Sequence, residues 1–492
     1  MCNTQQSAVA RKLCLSMLAF MAALCCTPTW AESSTPLPEQ WAAIASDAAV
    51  VGKPSEERAS VEDREPRRSY AIPAAEIFGF DFLLNQYDRH ELGSDYNSNL
   101  SSIRRNLHSG WVVDHDPFRI NQLGHPYQGS MYHTFARSAG LSYWESFAYT
   151  FAGSALWEIA GETTPPSRND QINTGIGGTF LGEALFRMAN LLLEQDDVPP
   201  FWRELGAAVI SPATGFNRLA FGNRFSRVFA SGNPAHYSRL WLGFSGTAQD
   251  NGGTATTKLK RNEALVEYSL EYGLPGKPGY TYKRPFDYFA FQATASSANG
   301  FENVLVRGLL LGRDYGLGDR YRGVWGLYGG YDYISPQTFR VGSTAFSLGT
   351  TAEWVLSDSL VLQGTGLVGA GYAAVSSSRS SISGNYHYGV APQSLLALRL
   401  IYRDRASLDV TGREYFVSRV AAAERAGHDN ITRLDAALTF RVAGRHGIAL
   451  RYLGNRRDAS FPDLGDVKET RSTVGIFYTL LGHERFSAVQ TR

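Results

Sequence analysis

The chain has 492 residues, 43% of them hydrophobic, with 47 basic against 46 acidic side chains. That apolar content excludes global disorder, and the near-neutral balance excludes the basic footprint of a nucleic-acid binder, so no nucleic-acid partner is expected. Charged residues are only 19%, below the ~25% of ordinary soluble domains, and 49 Gly, 25 Tyr and 27 Phe fit a membrane β-barrel better than a cytosolic enzyme.

Arg11 and Lys12 precede the short apolar run Leu13–Cys26, and Thr29-Trp30-Ala31 has the small residues of a cleavage site. Residues 1–31 therefore read as a secretory signal peptide, too short in its apolar part to cross a bilayer as a helix. All four cysteines fall inside it. A chain beginning at Glu32 has none, which leaves neither disulfides nor thiolate metal sites. Residues 32–74 are rich in Pro, Ser, Glu and Arg and read as a flexible linker, with a short helix near Trp41–Val50.

Residues 75–235 form the next unit. Glu76–Tyr87 and Ile103–Val113 look like two strands. Pro126–Ser138, Leu141–Glu162, Ile172–Glu194 and Pro200–Ile210 carry helical spacing. Thr164-Pro165-Pro166 stops one helix, and Ser167-Arg168-Asn169-Asp170 has the form of a capping box for the next.

From His236 the period becomes two. Leu434, Ala436, Leu438 and Phe440 alternate with Arg433, Asp435, Thr439 and Arg441, and about twelve such runs follow one another as far as Leu480. Each is long enough to cross a membrane as a tilted strand. Tight turns at Ser357-Asp358, Arg403-Asp404-Arg405 and Gly444-Arg445 alternate with longer loops at Val375–Tyr388, Ala421–Asn430 and Asn455–Lys468. The expected fold is mainly β with an α-helical insert: an antiparallel transmembrane β-barrel of about 12–14 strands over residues 236–492, the N-terminal pair supplying the upper count. The helical segment plugs its lumen or caps its mouth.

Several helical residues carry candidate chemistry. Glu158 and Glu162 continue the apolar face of Trp144, Phe147 and Phe151, where carboxylates must be paired or have raised pKa values. With His125 as proton carrier they form a general acid–base set. The alternative is a Glu–Arg network that only orients helices: Arg187 is the in-helix partner of Glu183, Arg137 is free to meet Glu158 or Glu162, and Asp170 belongs to the same polar set. His133 and Arg137, four apart, read as an exposed or lumenal pair. Asp114 and Asp116, with His125, offer hard ligands for a divalent metal, although such a D-x-D is more often turn chemistry. Ser154 lacks a nucleophile elbow and reads as a packing residue. Gly175, Gly177 and Gly178 read as close helix packing. Arg451, Arg456 and Arg457 either touch lipopolysaccharide phosphates or form a solvated loop.

The stretch Trp111–Glu194, with Asp114-His115-Asp116, Asn121, His125-Pro126-Tyr127, Gly129, Tyr132, Arg137, Glu158, Glu162, Pro166-Ser167, Asp170, Gly178, Glu183 and Arg187, resembles a bacterial family, domain of unknown function 3943. The resemblance covers roughly residues 76–225 and names no activity. It implies an outer-membrane barrel setting. Two functions remain in play. One is a non-enzymatic channel, transporter or envelope-structure protein of a Gram-negative outer membrane, with a helical plug. The other is a barrel-borne hydrolase or transferase acting on lipid or glycolipid. The expected partners are outer-membrane lipid, lipopolysaccharide and the barrel-assembly machinery, and no cofactor is expected.

Overall fold

The computed structural model describes residues 68–91, 93–114, 116–252, 262–336, 339–377, 386–418, 427–461, 465–483 and Phe486. The expected signal peptide, most of the linker and the short helix near Trp41–Val50 lie outside these residues. Residues 236–481 form one closed sheet of twelve antiparallel strands. They are β1 (His236–Gly252), β2 (Asn262–Tyr272), β3 (Phe289–Ser296), β4 (Asn303–Leu317), β5 (Tyr321–Ile334), β6 (Phe339–Ser357), β7 (Leu360–Ser377), β8 (His387–Tyr402), β9 (Ala406–Ser418), β10 (His428–Ala443), β11 (His446–Phe461) and β12 (Gly465–Leu481). Each strand pairs with its sequence neighbours, and β1 pairs with β12 from Arg239↔Leu481 to Gly252↔Glu469, so no edge is left open.

The tight turns expected after β6, β8 and β10 gather at one end of the barrel. Arg403 and Asp404 both take positive φ, 47° and 50°, the conformation that a two-residue hairpin turn requires. The loop expected at Asn455–Lys468 is instead strand over most of its length, with Asn455↔Arg471 and Asp458↔Lys468 paired. Polar residues there read as a loop, yet a barrel strand goes on pairing after its outward face has become polar.

Alternation sets the two faces of the wall. Arg399 on β8 bonds Asp409 (2.7 Å) and reaches across to Glu271 of β2 (3.2 Å). Arg451 on β11 reaches Glu267 of β2 (2.8 Å), and Arg239 on β1 reaches Asp409 of β9 (3.1 Å). These contacts between distant strands identify the lumen. The intervening residues, Leu242, Phe244, Leu348, Leu396, Ile448 and Ile476 among them, are exposed on the outside as an apolar belt. Arg451 and Arg457 therefore do not join Arg456 in a basic patch. The first two are buried in lumenal ion pairs, and Arg456 is outside, bonded to Asp458.

The helical part corrects the expected strand pair. Ala71–Glu91 is a helix, α1, and Leu100–Asn106 another, α2. Asp81, Asn85 and Asp88 are buried at helical spacing, a signal hidden by the local alternation of Ile77-Phe78 and its neighbours. Asn99 caps α2 in a box with Ser102. The strand total is accordingly twelve. The later helices are α3 (His125–Ser138), α4 (Tyr143–Leu156), α5 (Arg168–Ile172), α6 (Gly178–Leu193), α7 (Pro200–Ile210) and α8 (Pro212–Phe221). No helix among the described residues is long and apolar enough to cross a membrane.

The helices neither plug the lumen nor cap its mouth. Phe180, Leu181 and Leu185 of α6 cluster with Leu270 and Tyr272 of β2, Phe289 of β3, Val304 and Val306 of β4 and Tyr331 and Tyr333 of β5. These barrel residues alternate with lumenal Glu271, Arg307 and Asp332, so they point outward. Glycines make room for the contact: a Cβ on Gly329 would lie 2.5 Å from the Phe180 ring. The bundle thus leans on the outer wall of β2–β8. Within it, α3 and α6 cross at Gly129 and Gly178, where a Cβ on Gly129 would meet the Thr174 carbonyl oxygen at 1.9 Å. Gly129→Val should destabilise the bundle by about 3 kcal/mol or more. Protease sensitivity of residues 120–220 should rise while the heat-modifiable gel mobility of the barrel is unchanged.

Candidate functional site

Three π turns, Ile120–Gly124, Trp157–Gly161 and Asn173–Gly177, interrupt the helices. Such turns recur at functional sites because the wider ring re-aims side chains. Here they border a single buried polar centre. His125 follows the first turn, Glu158 lies in the second and Asn173 in the third. Asp114 accepts from the Nδ2 groups of Asn121 (2.5 Å) and Asn169 (2.8 Å). Asn169 also donates to Asp170 Oδ1 (3.1 Å) and to the Tyr388 hydroxyl (3.0 Å). The Asp170 carboxylate lies 3.8 Å from His125 Nε2. Ser167 caps α5 by accepting from the Asp170 N–H (3.2 Å), and its own N–H donates to Glu158 Oε2 (2.8 Å). The expected capping box is therefore half present, with Glu158 in place of Asp170 on the returning bond.

The outer wall of the barrel completes the centre. Asn121 donates to the Tyr386 hydroxyl (2.8 Å), Gln122 donates to that of Tyr388 (2.9 Å), and Tyr331 donates to the Gln122 carbonyl (2.6 Å). Three buried atoms of this centre have no hydrogen-bond partner: His125 Nδ1, Glu158 Oε1 and Asn121 Oδ1.

Carboxyls outnumber cations here. Burial, aided by Glu162, holds Glu158 well above the usual carboxylate range. Burial and the nearby Asp114 do the same for Asp170. Burial pushes His125 down to about 4 against the pull of Asp114. Burial thus favours the neutral forms of Glu158, Asp170 and His125, an arrangement that suits proton transfer. Glu162 stands apart. It is half-buried, accepts from Trp157 Nε1 (2.9 Å) and Thr164 Oγ1 (3.0 Å), and is pushed up to about 7 by burial and Asp116. Asp116 contributes its carbonyl to the Tyr386 hydroxyl (2.7 Å). Among the described residues no group of three or more His, Asp or Glu is arranged to hold a metal. Asp114 is occupied instead in orienting two asparagines.

A second node lies deeper between α3 and α6. Glu183 accepts from Arg137 Nε (2.7 Å), Arg187 Nε (2.8 Å) and His133 Nε2 (3.1 Å). Arg187 continues to Asp287 (3.0 Å) in the β2–β3 connection, and Arg137 lies over the rings of Phe186 and Phe229. Arg137 thus meets Glu183 rather than Glu158 or Glu162, and the His133–Arg137 pair is buried, neither exposed nor lumenal. Asp170 leaves the expected Arg network and joins His125. Residue-type patterns missed Asn169, Tyr386, Tyr388 and Asp287. Asn169 had a signal, since it lies inside the Pro166-Ser167-Arg168-Asn169-Asp170 motif. The barrel tyrosines had none, being more than 200 residues away in sequence.

A cavity of about 140 Å³ is bounded by Tyr237, Arg239, Glu271, Gln363, Arg399 and Asp409, and a smaller one of about 20 Å³ by Glu263, Glu302 and Arg451.

The fold and site define a closed β-barrel carrying a helical polar centre on its outer wall. Residues 110–213, which hold that centre, match the family described as Domain of unknown function (DUF3943). No curated protein matches the chain. Among solved structures, the NanC porin is similar at 10% identity and a TM-score of 0.25, over 48% of this chain and 98% of that one. The CymD monoaromatic hydrocarbon channel is similar at 9% identity and a TM-score of 0.23, over 51% and 89%. The outer membrane channel DcaP of Acinetobacter baumannii gives 10% identity and a TM-score of 0.23, over 50% and 96%. Scores this low say nothing about activity.

Two pH effects follow. Burial tends to raise the Glu183 pKa, but Arg137, His133 and Arg187 outweigh it and hold the group well below the usual range. Its stabilisation is present above the unfolded carboxylate pKa and is lost only as pH falls through the lower folded value. Glu183→Gln, leaving the buried Arg137 guanidinium without a carboxylate and Arg187 with Asp287 alone, should cost about 3–5 kcal/mol at neutral pH, read as loss of bundle thermal stability. Asp81 on α1, bonded by the Tyr132 hydroxyl, is pushed up to about 7 by burial. The folded state then binds the extra proton between the unfolded value and 7, so bundle stability should fall as pH rises through that window. Asp81→Asn should flatten the slope in a melting series from pH 5 to 8. An unchanged slope would refute the assignment.

Proposed function

We propose that this is a Gram-negative outer-membrane protein whose barrel is an envelope scaffold without an open pore. The observation that carries this is the lumen itself. Arg399–Glu271, Arg451–Glu267 and Arg239–Asp409 bridge it between distant strands, so that ion pairs cross the path a solute would take. The exposed belt outside supports a lipid setting, since an antiparallel barrel with apolar residues outside and ion pairs within satisfies its backbone in a bilayer. Outer-membrane lipid is then its surroundings and the barrel-assembly machinery its route of insertion.

With the helices on the outer wall, they are not what blocks the pore. Full-length protein in planar bilayers should give no stable conductance steps, and deletion of residues 120–221 should not create them. Arg399→Ala with Arg451→Ala should open small steps. Large steady conductance from the unaltered protein would overturn the scaffold reading.

A second reading has its own support. The unpartnered His125 Nδ1 and Glu158 Oε1, set beside Asp170, whose neutral form burial favours, suit acid–base chemistry on a lipid or glycolipid. His125→Ala or Glu158→Gln should then change the envelope lipid profile by mass spectrometry at equal folded yield. Identical profiles in wild type, null and variants would remove it.

A further inference from the structure

Two of the bundle's helices are built inside out. On α1 the buried positions include Asp81, Asn85 and Asp88, while Phe78, Phe82 and Leu83 are 62%, 56% and 67% exposed. Glu76 is half-buried, and the exposed charges of the helix, Arg89, His90 and Glu91, are confined to its end. On α4 the buried positions are Tyr143 and the small or hydroxyl residues Ser146, Thr150, Gly153 and Ser154, while Trp144 and Phe151 are exposed. A helix packed on a protein in water turns its polar face outward. Small and hydroxyl residues inward with aromatics outward is the arrangement of helices packed together in lipid. The close approach is visible at Gly153, where a Cβ would lie 2.9 Å from Ile77 Cγ2 of α1.

This outer face continues the barrel's belt on both flanks. On β1, Leu240 is buried with α6 and α7 residues, and Leu242 and Phe244, next on the same face, are exposed. On β6, Phe346 meets the Phe180 ring edge-on, and Leu348 beyond it is exposed. On these two strands the apolar belt and the bundle meet directly.

We propose that the outer face of α1 and α4 lies in the acyl chains around the barrel, so that the polar centre at His125 is enclosed between the barrel wall and lipid. The proposal rests on the outer-membrane reading, and native tryptophans separate the two. Trp144 marks the bundle face and Trp325 the outer wall of β5, both exposed. The full chain would be reconstituted in phosphatidylcholine vesicles brominated at mid-chain and, separately, titrated with iodide in unbrominated vesicles. Trp144→Phe and Trp325→Phe should each remove a share of the emission that brominated chains quench, and neither should reduce the iodide-quenchable share. Phe82→Trp should add lipid-quenchable emission, which keeps the test open if Trp144→Phe fails to fold. If Trp144→Phe removes iodide-quenchable emission instead, and Phe82→Trp adds it, while Trp325→Phe still removes lipid-quenchable emission, the bundle faces water and the inference fails alone. If Trp325→Phe also removes no lipid-quenchable emission, the membrane reading fails with it.

Discussion

The period of two in the barrel strands is the constraint on which the rest depends. Once the sheet closes, every second side chain is committed to a lumen too narrow for a dozen unpaired charges. Desolvated arginines must then find carboxylates across the barrel. Arg399, Arg451 and Arg239 do so, and their ion pairs span the lumen between distant strands. The same alternation commits the other half of the side chains to the outside, where they need either lipid or protein to cover them. Over part of β2–β8 the cover is protein, and that choice places the helical centre outside the lumen.

Much of this was legible in sequence. The barrel start at His236, the strand count in the repeating region and the tight turns at Arg403 and Gly444 follow from patterns that are local and period-two. The inversion of α1 was not legible. Strand and helix both separate Ile77 from Phe78 by face, and an expectation that polar residues point outward makes Asp81 and Asp88 look like the solvent side of a strand. At the site, the residue types were visible but the partners were not. Arg137 is equally able to reach any carboxylate on a neighbouring helix, and only the crossing at Gly129 and Gly178 brings it to Glu183. Tyr386 and Tyr388 enter the centre through barrel closure, which no spacing rule encodes.

The two polar nodes of the bundle differ in their electrostatics, and the difference follows from their cations. Glu183 has two guanidiniums and an imidazole, so it stays ionised despite full burial and can act as a fixed strut between α3, α6 and the β2–β3 connection. Glu158, Asp170 and Asp114 have one imidazole among them, and burial disfavours the charged forms of the first two and of the imidazole. A strut gains from permanent charge. A centre whose groups change protonation state gains from its absence, because the low dielectric that penalises charge also narrows the gap between donor and acceptor. Lipid on the outer face of α1 and α4 would lower that dielectric further. The inside-out helices and the neutral state of the His125 centre are then two consequences of a single environment.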